Sequence, residues 1–380
     1  MTFDLSLFSS KLKKYREQFE ASLDEVSAVT GISTQALAAL ENAERRPTGD
    51  EVLILADYYL CDYQFFISNE KLAPFEQTET LYRRHGNDFS KDDRWIVQEF
   101  LFLCECEEFL LNSLPRRDYK PFRFSKVGSY FKVHGEEAAK SLREHLGYSS
   151  IQVGSDIYDD VRRLGFHIFR RQLGNSNISG LYIKHPTAGK CILVNYSEDV
   201  YRQRFTAAHE SAHAILDDDE DFIVSFVRDS NLVEVRANTF ASRYLMPPDF
   251  LRNIPDSSNW TTDKAIDWAN RLKVNSEALA IALRNANLIS QSTEAQIKAV
   301  KVPSDRKIDP ELPVSLSPGS RQRREQSLKR GLSSFYVNLC FDAYEQNVIS
   351  AGRLAEMLLV SERELSEMAD LYGKVLRYGN

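Results

Sequence analysis

Apolar positions in the first seventy residues recur at helical spacing, and helix caps separate the runs. Leu12, Tyr15, Arg16 and Phe19 share one face of an opening helix. Ser22-Leu-Asp-Glu25 reads as a capping box for a second helix, which carries Val26 and Val29 and ends at Gly31. Ser33 caps a third helix, Thr34 to Glu41. Thr48-Gly-Asp-Glu51 is another capping box, before the apolar run 52–60. The pattern predicts a helical domain over 1–70, with two short helices joined by a glycine turn.

The spacing changes further along. Residues 71–133 read as a helical linker. Its apolar stretch from Trp95 to Leu111 requires burial, between domains or across a homodimer. Helices are expected over 135–147 and 155–164. Period-two runs then predict three short strands, 166–170, 179–184 and 190–195, the last two joined by a turn at 186–189. Two amphipathic helices follow, 204–216 and 234–246, the second stopped by Pro247 and Pro248. Two helices meet near 274–276, residues 300–320 are a Pro- and Ser-rich linker or extended loop, and 349–365 is another helical pair. The predicted fold class is α+β, mostly helical. It has four parts: a helical domain at 1–70, the linker at 71–133, a domain with a small sheet at 134–299, and a linker with a helical C-terminal region at 300–380.

Composition narrows the class. The chain has 380 residues, 43% hydrophobic, and a net charge of −7. No apolar run approaches membrane-spanning length, so no membrane partner is expected. The N-terminus lacks a basic segment followed by an apolar one, so no signal peptide is read. Five scattered cysteines suit reduced thiols in a cytoplasm, and Cys104 and Cys106 are read as packing. Residues 1–70 carry six Lys/Arg against twelve Asp/Glu.

The candidate chemistry lies in His209-Glu-Ser-Ala-His213. On a helix the two imidazoles stand one turn apart on one face, a spacing that lets both bind one Zn²⁺, with Glu210 as general base. Small residues flank them (Ala207, Ala208, Ser211, Ala212, Ala214), so another backbone can come close. A zinc peptidase needs a third protein ligand and one open position. No Gly and third His follow His213, which excludes the metzincin pattern. Glu234 is the best candidate third ligand. Asn238, one turn later, is placed to hydrogen-bond a ligating imidazole.

The segments 204–213 and 234–247 resemble the ImmA/IrrE family of zinc metallopeptidases. The resemblance implies a gluzincin-like core with His209, His213 and Glu234 as zinc ligands and Glu210 as catalytic base. It also implies a protein substrate, a helix-turn-helix repressor whose cleavage releases transcription. Arg236 departs from the family, which often has an acid there. Residues 31–47 resemble repressor-type (XRE, Cro-like) helix-turn-helix domains. That implies operator DNA as a partner, with Thr34, Gln35, Ala38 and Ala39 facing the bases. The acidic charge of 1–70 runs against strong phosphate binding.

Other residues receive plainer readings. His167 is expected to be structural, and His85, His134, His145 and His185 to lie at the surface. Asp217 to Asp221 are read as a solvated loop, because acids oppose the dipole at a helix C-terminus. Arg321, Arg323, Arg324, Lys329 and Arg330 are read as a solvated basic face. Tyr201, Arg204 and Tyr244 are the candidate oxyanion donors, and a substrate-pairing edge is expected among the three strands. The competing reading is a transcription factor whose peptidase-like domain is a non-catalytic sensor or dimerisation module.

Overall fold

The computed structural model describes residues 3–69, 73–114, 119–227, 231–257 and 259–376. It is α+β and mostly helical, as the periodicity predicts, and divides into two compact units, Met1–Leu103 and Cys104–Asn380. No described helix is long and apolar enough to cross a membrane.

The first unit holds α1 (Leu5–Gln18), α2 (Leu23–Thr30), α3 (Thr34–Glu41), α4 (Gly49–Tyr58), α5 (Tyr63–Ile67), α6 (Ala73–His85) and the first part of α7 (Lys91–Ser113). Both expected capping boxes form, Ser22 with Glu25 and Thr48 with Glu51. Gly31 closes α2 at φ 72°, a left-handed conformation that glycine adopts without a Cβ penalty, and this sets α3 against α2. Phe8, Leu12, Phe19, Leu37, Leu40 and Leu55 fill the core. Val29, read with the apolar face of α2, is 72% exposed instead.

The second unit is built on a four-stranded sheet. Its strands are β1 (His167–Arg171), β2 (Ile178–His185), β3 (Gly189–Asn195) and β4 (Phe222–Phe226), in the order β1-β3-β2-β4. β1 and β3 are parallel; β2 is antiparallel to β3 and to β4. β4 is absent from the expected strands. Before the sheet come α8 (Phe131–His145) and α9 (Ile157–Arg163). After β3 come α10 (Val200–Leu216), α11 (Leu232–Leu245), α12 (Pro248–Arg252), α13 (Thr262–Leu272) and α14 (Ser276–Asn285). α10 lies against β2 and β3, and α11 packs on both α10 and α8. Gly135 makes the last contact possible, because a Cβ there would stand 2.5 Å from the Arg236 carbonyl oxygen.

The remaining helices are α15 (Gln291–Lys298), α16 (Pro318–Lys329), α17 (Ser334–Glu345), α18 (Ala351–Met357) and α19 (Glu362–Tyr372). The stretch 300–320, expected as a linker or extended loop, is irregular but fastened down. Arg170 grips Asp309 at 2.8 and 3.0 Å, Arg162 meets Glu311 at 2.8 Å, and Leu312 is buried. Buried guanidinium–carboxylate pairing overrides the proline-rich composition. Arg324, read with a solvated basic face, stacks over Tyr372 and bonds Ser334 and the Leu371 carbonyl.

Three histidine readings are settled by burial. His167 is structural as expected, buried with Nδ1 2.9 Å from Glu107. His134 and His185, expected at the surface, are buried. His134 Nε2 lies 2.8 Å from the Val127 carbonyl, and His185 Nδ1 accepts from the Ala188 amide. Local backbone groups hold one nitrogen of each ring, which a polar sequence neighbourhood does not reveal.

Candidate metal centre

Asp199 caps α10 by accepting from the Tyr201 amide, and the helix runs almost wholly buried to Leu216. Its alanines allow this. Ala207, Ala208, Ala212 and Ala214 present little volume, so the sheet and α11 close on it from both sides. Asn231 caps α11 by accepting from the amides of Val233 and Glu234. Glu234 thus sits in the first turn, where the helix dipole favours a carboxylate.

The two helices bring three groups to one point. His209 Nε2 lies 3.0 Å from His213 Nε2 and 2.9 Å from Glu234 Oε2, and His213 Nε2 lies 3.3 Å from Glu234 Oε1. Among the described residues this is the only convergent set of three His, Cys, Asp or Glu ligand atoms, and all three residues are buried. Ligands bound about 2.0–2.2 Å from a zinc ion stand roughly 3.3 Å apart at tetrahedral corners. The spacing therefore fits a single zinc ion, and so does the chemistry of the donors.

The outer nitrogens are also held. His209 Nδ1 lies 3.1 Å from Asn238 Oδ1, and His213 Nδ1 lies 2.9 Å from Asp217 Oδ2. With Nδ1–H donating outward, each ring presents Nε2 to the centre. Asp217 itself forms a buried ion pair with Arg236. This corrects the solvated-loop reading at its first residue: Asp217 is only 5% exposed, because a cation and an imidazole offset its desolvation and the helix dipole.

Glu210 is fully buried beside the two histidines. Neither carboxylate oxygen meets a donor in good geometry, and the nearby Ser225 hydroxyl of β4 is likewise unsatisfied. Buried oxygens without a partner mark a place for a polar species. Gly180 of β2 makes room for them, since a Cβ there would stand 2.6 Å from Glu210 Oε1. Burial raises the Glu210 pKa above the ordinary carboxyl range, against the pull of His209 and His213. At His213, burial works against the charged ring, but hydrogen bonds to Asp217 and Glu234 prevail and lift its pKa to about 9. Burial also opposes the charge on Glu234, yet the two imidazoles hold its pKa well below the carboxylate range.

A cavity of about 500 Å³ opens on the centre. α10 contributes Phe205, Thr206 and His209 to its wall, α11 contributes Glu234 and Asn238, and α14 contributes Ala278 and Ile281. Ser225, Phe226 and Val227 line it too, so the sheet edge at the cleft is β4 rather than any of the three expected strands. None of the expected oxyanion donors is directed into this space. Tyr201 bonds Asn270, Arg204 bonds the carbonyls of Leu272 and Lys273, and Tyr244 bonds Asp160. Each of the three side chains is bonded to a partner of its own.

On the first unit, Thr34, Gln35, Ala38 and Ala39 all lie on α3. Gln35 is exposed and the other three are half-buried. The Thr34 hydroxyl donates to Asp24 at 3.2 Å, which sets a carboxylate beside the start of that helix.

No curated protein matches the chain significantly. Two family models do. One, described as a helix-turn-helix, covers residues 12–66; the other, described as an IrrE N-terminal-like domain of a peptidase family, covers 161–284 and so spans β1 through α14. The chain thus joins an XRE-type helix-turn-helix domain to an IrrE N-terminal-like peptidase-family domain.

Proposed function

We propose that this chain is a DNA-binding regulator with zinc-dependent endopeptidase activity, and that it cleaves a helix-turn-helix repressor to control transcription. The observation that carries the reading is the convergence of His209, His213 and Glu234 beside the buried, unsatisfied carboxyl of Glu210. His209, His213 and Glu234 would hold one zinc ion. When bound, zinc supplies Lewis acidity, polarising a carbonyl and acidifying water.

The protein's own groups do the rest. Glu210 takes the proton of the attacking water and passes it to the leaving amine. Asn238 and Asp217 keep the two rings aimed at the centre. The β4 edge offers backbone groups to an extended peptide, which favours a mobile segment of a protein substrate. On the first unit, Gln35 is the strongest candidate base reader. Arg16 and Arg45 are already paired, with Glu41 and Glu51, so phosphate contacts are few and a second copy would strengthen operator binding.

The test is Glu210→Gln, assayed on a panel of purified helix-turn-helix repressors by mass spectrometry. The variant is expected to keep its zinc and lose cleavage by at least about 100-fold. Undiminished cleavage would contradict the assignment of the general base.

A further inference from the structure

An acid at the end of α10 is costly in two ways. Asp217 caps the C-terminus of the helix, its amide bonded to the His213 carbonyl, so its carboxylate faces the negative end of the dipole. It is also buried. Nothing in capping requires an acid there; asparagine or glycine would end the helix at less cost. The carboxylate is nevertheless fixed on both oxygens: Oδ2 on His213 Nδ1 at 2.9 Å and Oδ1 on the Arg236 guanidinium. Arg236 is buried too, with its guanidinium carbon 5.1 Å from the centre of the Phe131 ring. It lies two residues after Glu234 on the same helix.

We infer that Arg236 is a positioning residue for the metal centre, acting through Asp217 on His213. This rests on the zinc reading of the site. The two histidines are held differently: His209 meets the amide of Asn238, whereas His213 meets the carboxyl of Asp217, itself paired with Arg236. A carboxylate on Nδ1 fixes the ring and makes Nε2 a stronger donor to a metal. Arg236 holds the other oxygen of that carboxyl and offsets the cost of burying it. The helix that supplies Glu234 therefore also sets the orientation and donor strength of His213. With Asn238 on His209, this one element bears on all three candidate ligands.

The test uses the full chain and three variants, Asp217→Asn, Arg236→Met and Arg236→Lys, with zinc affinity measured by competition with a chromophoric chelator. Asp217→Asn and Arg236→Met are each expected to weaken zinc binding about 10- to 100-fold. Arg236→Lys, which keeps the charge, recovers most of the loss. Nitrogen-15 spectra of labelled histidine supply a second readout. A slowly exchanging His213 Nδ1 proton is expected in the wild type and in Arg236→Lys, and exchanges faster in Asp217→Asn, where a neutral amide replaces the carboxyl. Wild-type affinity in both Asp217→Asn and Arg236→Met would overturn the inference. If Arg236→Met does not fold, Asp217→Asn and Arg236→Lys decide alone. A wild-type chain that takes up no zinc fails differently: it removes the metal centre itself.

Discussion

Gly180 sets how closely β2 can approach α10. A methyl group there would stand 2.6 Å from Glu210 Oε1 and 2.8 Å from both Glu210 Cγ and Thr206 Cγ2. Relief requires Glu210 to swing or α10 to shift. Gly180→Ala is expected to cost about 1–3 kcal/mol of stability, read by thermal melts, and to cut cleavage far more than zinc content. Equal losses of zinc and cleavage would mean that the whole helix had moved. At this scale the sequence is informative wherever function follows from helical spacing. His209, Glu210 and His213 are legible because one turn separates the rings, and Asn238 because it follows Glu234 by one turn. Asp217 is not legible, although it follows His213 by the same four residues. An acid run at a helix end looks solvated, and only Arg236, nineteen positions on, accounts for its burial. Tyr201, Arg204 and Tyr244 show the converse: the sequence reveals a donor but not its direction, and all three are bonded elsewhere.

Among the strands, β4 is the one the sequence hides. Five residues after an acidic run carry too weak an alternation to stand out, and the strand exists because β2 offers it an antiparallel partner. The better-marked strands and helices are legible to within a few residues, since caps and turns bound them. The contact between α7 and β1 yields a pH prediction. His167 lies between Glu107 at 2.9 Å and Glu108 at 3.3 Å. Burial disfavours its charge, but the two carboxylates win and raise its pKa to about 10. The unfolded ring titrates near about 6.5. The charged ring therefore contributes its full stability below that pH, and the contribution fades as pH rises through about 10. Urea melts from pH 6 to pH 10.5 should show this alkaline loss in the wild type and a smaller one in His167→Gln. Parallel loss in both proteins would remove the ion pair from the account.

At the scale of the whole molecule, charge is unevenly distributed. Residues 1–103 hold 11 Lys/Arg against 18 Asp/Glu, whereas residues 104–380 hold 37 of each. The helix-turn-helix unit carries the entire net charge of −7. An acidic reader of DNA has little non-specific affinity, so its occupancy depends on specific contacts and on association. The balanced second unit holds the cleft, and the account depends on whether that cleft holds a metal. The most direct test is zinc per chain by elemental analysis, on the wild type and on His213→Ala. About one zinc in the wild type and almost none in the variant is the predicted result. A well-folded wild type without zinc, or a variant that keeps its full complement, would contradict the metal centre.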